Sequence, residues 1–176
     1  MGMRVLPTAY LGPASYFRMR MEGAEIEVME SFEKQTFRNR CLITDASGRQ
    51  VRLTVPVKKA EHKQLTRDIE ISYQARWQHQ HWITLMSAYE HTPYFRYYAD
   101  YFRPFYERQT KWLVDWNEAM SSVVEMLMAN RPQGATELPR TTDWHGETWT
   151  DRHEWQKETS IADMLFEYGP ETITKI

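Results

Sequence analysis

The spacing of apolar residues changes near residue 75, and the two halves of the chain read differently. Before that point apolar and polar residues alternate in short runs. Met3 to Thr8 reads as a first strand, and Gly12 and Pro13 open a short helix that Gly23 closes. Glu25 to Glu30 alternates, with Ile26 and Val28 inward and Glu25 and Glu27 outward, the pattern of a half-buried strand. Strand, helix and strand within so few residues predict a βαβ unit with its strands parallel. A hairpin follows, Phe37 to Thr44 and Gln50 to Val57, around the turn residues Asp45, Ser47 and Gly48. Lys58 to Arg67 is a charged loop. Asp68 to Tyr73 is one more short strand, with Ile69, Ile71 and Tyr73 on one side.

From Ala75 the period is helical. Trp77, His81, Leu85 and Tyr89 form one stripe, which Pro93 ends. Tyr94 to Arg103 is an aromatic-rich second helix, and Pro104 either kinks it or starts a third. Phe105, Trp112, Leu113, Trp116, Met120, Val123 and Leu127 carry a stripe to about Ala129. Asn130 to Thr159 is polar and without period, the pattern of a loop. Ser160 and Asp163 have capping-box spacing ahead of Met164, Leu165 and Phe166, and Gly169 and Pro170 stop that helix. The fold class expected is α/β: a mixed sheet begun by a βαβ unit and a hairpin, then two to three helices and a short C-terminal helix.

Composition narrows the setting. A chain of 176 residues fits one domain, and its core needs no staple. One cysteine, Cys41, precludes an internal disulfide and suits a reducing compartment. MGMRVLPTAY lacks the apolar core of a signal peptide, and no stretch approaches the ~18 apolar residues of a membrane span, so a cytoplasmic location is expected. A net charge of −2 argues against nucleic acid as a partner. Seven Trp and ten Tyr are many for this length and point to a groove or a partner surface as well as a core.

Several familiar chemistries fail on spacing. His153-Glu154 begins an H-E-x-x-H pattern, but residue 157 is Lys. His79 and His81, two apart on a helix, point away from each other and cannot share a metal. Asp143, His145 and Glu147 sit in the polar stretch and read as a solvated loop before a metal site. There is no dinucleotide fingerprint, Walker A loop or nucleophile elbow, so no cofactor is expected. Cys41 falls on the inward face of its strand as an inert thiol.

Convergence is more informative. If the first two strands are parallel, Thr8, Ala9 and Tyr10 leave one, and Glu30, Phe32, Glu33 and Lys34 leave the other, at the edge where open α/β sheets bind ligands. The helix starting at Pro13 points there too and favours an anion. Arg38 and Arg40 share a strand face, with Asn39 on the other. Two readings fit them: a forked clamp on phosphate or carboxylate, or a wet strand face paired to nearby glutamates. His81 is either a hydrogen-bonded core histidine or a general base.

Several segments together resemble the WbqC-like family of bacterial proteins: "LPTAYLGPASYF" at 6–17, "ESFEKQTFRNRC" at 30–41, "LTVPVKK" at 53–59, "WQHQHWITLMSAYEHTPYF" at 77–95 and "SIADMLFEYGPE" at 160–171. The chain is most similar to the short Bacteroides-type members and reads as a single domain of that family, 1–176. The family's pattern falls on Tyr10, Lys34, Asn39, Arg40, Pro56, Trp77, His81, Tyr89 and Asp163. The resemblance implies surface-polysaccharide (O-antigen-type) biosynthesis or sugar-nucleotide modification. The expected enzyme is a transferase, with His81 and Asp163 catalytic and Tyr10, Lys34, Arg38, Asn39, Arg40, Trp77 and Tyr89 binding an anionic sugar-nucleotide or acyl donor. The alternative is a non-catalytic subunit that recruits a glycan enzyme, with a protein partner or a second copy on its aromatic surface. One departure stands out: Glu167 occupies the place of an Asn in the family's C-terminal motif.

Overall fold

The computed structural model describes residues 5–129 and 158–176. β1 (Val5–Pro7) and β2 (Glu25–Glu27) pair in parallel, with Leu6 opposite Ile26, and α1 (Ala14–Met21) crosses between them. Pro13 precedes the first turn of α1, where its missing N–H costs nothing, and Gly23 at φ +89° lets the chain reverse. β3 (Arg40–Thr44) and β4 (Gln50–Thr54) form an antiparallel hairpin in which Arg40 faces Thr54 and Leu42 faces Arg52. The Asp45 carboxylate accepts from the amides of Ser47 and Arg49 and so closes the turn. The two pairs are separate two-stranded ladders, joined by the Tyr10 amide donating to the Phe37 carbonyl.

The segment Asp68 to Tyr73 is not a regular strand. A 3-10 turn at Thr66–Asp68 precedes isolated bridges from Glu70 to Trp112 and from Ile71 to Val57. Ile69 and Ile71 are still buried on one side, because the alternation needs only extended backbone and not a full ladder.

α2 (Trp77–Tyr89) buries Trp77, His81, Leu85 and Tyr89, the stripe read from the sequence. α3 (Phe95–Glu107) runs through Pro104 without ending, and α4 (Leu113–Ala129) turns Trp116, Met120, Val124 and Leu127 to the core. The polar stretch from Asn130, with Asp143, His145, Glu147, His153 and Glu154, lies outside the described residues up to residue 157.

α5 (Ile161–Tyr168) starts at Ser160, whose hydroxyl accepts from the Ala162 amide. The reciprocal half of a capping box is absent. The Ser160 amide instead donates to the Leu42 carbonyl, and the Asp163 carboxylate leaves its own helix altogether. α5 closes at Gly169, whose φ of +55° favours glycine and whose Cα faces the Tyr94 ring. A methyl group there meets both a disfavoured backbone and an aromatic ring. Gly169→Ala is therefore expected to lower stability by about 2 kcal/mol or more in urea unfolding, with the m-value unchanged.

Candidate functional site

A crevice of about 280 Å³ opens between the exit of β1, the turn before β3, the outer face of the hairpin and the start of α5. Residues 10–13 and 35–37 line its floor, Arg40 and Arg52 a wall, and Glu158 and Ser160 a lip. Because Arg40 pairs with Thr54, and Arg52 lies two residues before Thr54, the two arginines are diagonal neighbours on one sheet face. Arg40 Nε donates to Thr54 Oγ1 at 3.1 Å, which fixes the guanidinium plane. No described residue occupies its two Nη groups, so a fork remains open to a ligand.

Backbone strain gathers at the same place. Leu11 (φ 40°) and Gln35 (φ 59°) are two of the three non-glycine residues with positive φ among the described residues, and both line the crevice. Gly12, next to Leu11 in the same lining, is pressed on Tyr16: an added Cβ would lie 2.8 Å from the ring's Cδ1.

Arg38 does not join Arg40. Residues 37–39 are a turn, so the strand alternation that would align the two side chains starts only at Arg40. Asn39 makes that turn. Its amide donates to the Thr36 carbonyl, its Oδ1 accepts from the Gln35 amide and its Nδ2 donates to the Val55 carbonyl. Arg38, buried, meets Glu30 through two parallel bonds, Nε to Oε1 at 2.6 Å and Nη2 to Oε2 at 2.8 Å. The glutamate-paired reading holds for Arg38, while Arg40 keeps its fork free. Lys34 is exposed and outside the crevice wall.

His81 lies behind the crevice, not in it. Its Nδ1 is 3.1 Å from the Tyr10 hydroxyl, which in turn is 2.9 Å from the Tyr106 hydroxyl. The ring also bonds the Thr54 backbone, and a bond that favours the protonated ring must run to a carbonyl. The ring therefore donates to Thr54 O, and Nδ1 accepts from Tyr10. Trp77 packs edge-on to His81 and to Trp116. Burial pulls the imidazole pKa down to about 4, only partly offset by the Thr54 bond. The Tyr10 phenol, fully buried beside Tyr106 and Cys41, is held well above its ordinary value. Burial and the charge of Asp163 raise the Cys41 thiol, so it is inert.

Asp163 and Tyr89 form a second junction. The carboxylate accepts from the Thr44 amide at 3.0 Å, from Thr44 Oγ1 at 2.7 Å and from the Tyr89 hydroxyl. It ties α5 to β3 and α2, a bridge between elements and not a wall of the crevice. Glu167 is exposed on α5. Arg52, Gln35 and Glu158 are crevice residues that reading the sequence missed. The signal for Arg52 was present: it shares the polar face of its strand with Thr54, opposite Leu53 and Val55.

A family model described as the WbqC-like protein family matches residues 10–138. The chain belongs to this family. No curated protein and no solved structure matches it. The matched region holds the crevice floor and both wall arginines, whereas Glu158, Ser160 and the motif at 160–171 lie beyond it. Among the described residues of this WbqC-like chain no group of His, Cys, Asp or Glu could hold a metal, and no helix is long and apolar enough to cross a membrane.

The two arginines should separate cleanly by stability. Arg38→Ala strands a half-buried carboxylate and is expected to cost about 2 kcal/mol, short of the full penalty because Glu30 keeps contact with water. Arg40→Ala breaks one bond to a hydroxyl and should cost under about 1 kcal/mol by the same denaturation. His81 gives a pH dependence. Its folded pKa lies below the ordinary value of 6.5, so the unfolded chain binds the extra proton. The contribution is complete above about pH 6.5 and is lost as pH falls toward 4, on the order of 3 kcal/mol in all. The drop in stability between pH 7 and 4 should be smaller by that amount in His81→Asn than in the native protein.

Proposed function

We propose that this WbqC-like protein binds a small anionic group in the crevice through Arg40 and Arg52, in the service of surface-polysaccharide or sugar-nucleotide modification. The observation that carries this reading is the Arg40 fork, oriented by Thr54 and left open, beside a second arginine and two strained backbone positions. Tyr10 belongs to the floor, and His81 acts through it as a positioning residue. A buried imidazole that stays neutral down to about pH 4 is a hydrogen-bond acceptor held in place rather than a base open to substrate. Trp77 packs against His81, and Tyr89 bonds Asp163, so both act in the core and not in the crevice. Asp163 holds the α5 lip against β3. The proposed ligand is the phosphate or acyl-carrying end of a donor, the proposed reaction group transfer, and the proposed compartment the cytoplasm.

A second reading has one observation in its favour. Tyr97 and Tyr101, one turn apart on α3, are 70% and 48% exposed, the kind of aromatic surface a recruiting subunit would use. It differs from the first in needing no ligand.

A thermal-shift panel of sugar nucleotides, sugar phosphates and acyl-CoAs distinguishes them. An anion at a hundred times its dissociation constant adds ~2.7 kcal/mol, which should raise Tm by roughly 5–10 °C. That shift should vanish in Arg40→Ala and shrink in Arg52→Ala. An equal shift in native protein and Arg40→Ala would remove the crevice as the binding site, and no shift with any of the three classes would favour the recruiting subunit.

A further inference from the structure

An anion site is not expected to carry a carboxylate on its lip, yet this crevice does. Glu158 lines the same crevice as Arg40 and Arg52, and Ser15 Oγ donates to its Oε2 at 2.6 Å. Among the described residues it forms no ion pair with either arginine, so it does not neutralise the wall. Ser15 belongs to the first turn of α1, which gives the carboxylate a fixed anchor on the helix that borders the crevice. Its Oε1 has no described partner and is available to accept. The crevice thus makes two different demands on one small ligand: an acceptor-rich anion for the arginines and a hydrogen-bond donor for the carboxylate.

Size limits the ligand further. The space of about 280 Å³ lies at the small end of the roughly 300–1,000 Å³ that ligand sites span, so it encloses one hydroxylated ring and its anion, not a whole nucleotide. We infer that the crevice selects a small bipolar ligand, an anion that also carries a hydroxyl or ammonium donor, with Glu158 as the residue that reads the donor. This inference rests on the anion site proposed above and adds the identity of a second group on the ligand. Glu158 weakens binding of a bare anion through like-charge repulsion and strengthens binding of one that brings a donor.

The two effects have opposite signs, which makes them separable. Calorimetric titration of inorganic phosphate, glucose 6-phosphate and glucosamine 6-phosphate into native protein, Glu158→Ala and Arg40→Ala provides the test. Glu158 is exposed, so the alanine variant should fold normally. The native protein should prefer at least one of the sugar phosphates to inorganic phosphate by about tenfold. Glu158→Ala should lose that preference while binding inorganic phosphate as well as before or roughly twofold more tightly. A gain for glucose 6-phosphate identifies the donor as a hydroxyl, and a gain for glucosamine 6-phosphate alone identifies it as an ammonium. If Glu158→Ala tightens all three ligands alike, or leaves the preference intact, Glu158 does not read the ligand and the inference is overturned. A native protein with no preference overturns it as well. Loss of the anion site itself has a separate signature: phosphate binding undiminished in Arg40→Ala.

Discussion

The hydroxyl of Tyr10 holds this structure at its centre. It is fully buried, and a buried hydroxyl without partners costs about 1–3 kcal/mol, so it must be satisfied on both sides. Tyr106 on α3 supplies one partner and His81 on α2 the other, and the imidazole passes the order on to the Thr54 carbonyl at the end of β4. The Tyr10 ring stacks on His81 and tilts against Trp116 of α4. One side chain from the exit of β1 thereby fixes the hairpin and three helices relative to each other. A chain of hydrogen bonds inside an aromatic core leaves few alternative arrangements, because any slip leaves a buried polar group unpaired.

The crevice inherits its shape from that junction. Residues 10–13 leave the core directly from Tyr10, and Arg40 takes its orientation from Thr54, whose backbone His81 holds. Charge is divided among neighbouring arginines. Glu30 is taken up by Arg38 in a part-buried, two-pronged pair, which leaves Arg40 without an ion-pair partner among the described residues. Leu11 and Gln35, both lining the crevice, hold positive φ, strain that the surrounding packing must sustain. Two arginines and one glutamate line the same crevice.

These features bear on function in a definite order. Membership of the WbqC-like family is carried by the match over residues 10–138. Ligand binding rests on a geometry that is open and polar. Group transfer rests on less, because His81, which the sequence leaves as either a core histidine or a base, is buried and bonded to Tyr10. The exposed tyrosines of α3 keep a role in recruitment in play on a different face of the molecule.

The order of elements, the helical stripes and most of the inward-facing residues could be read from periodicity, since burial of alternate or every third to fourth residue is a local constraint that the chain states directly. Trp77, His81, Leu85 and Tyr89 were aligned by spacing alone, and they are buried together. Gly23 and Gly169 likewise marked the ends of their helices through backbone conformation, a property of single residues. What spacing could not decide is which polar groups meet. Arg38 and Arg40 look equivalent until Asn39 turns the chain between them, and then one is buried against Glu30 and the other faces the crevice. Asp163 has the spacing of a capping residue but answers to Thr44, 119 residues away, and Arg52, Glu158 and Tyr10 come together from distant parts of the chain. Local preferences determined the elements of this protein. Its site was decided only by tertiary packing, because pairing between buried or facing polar groups depends on distances in space that sequence separation does not encode.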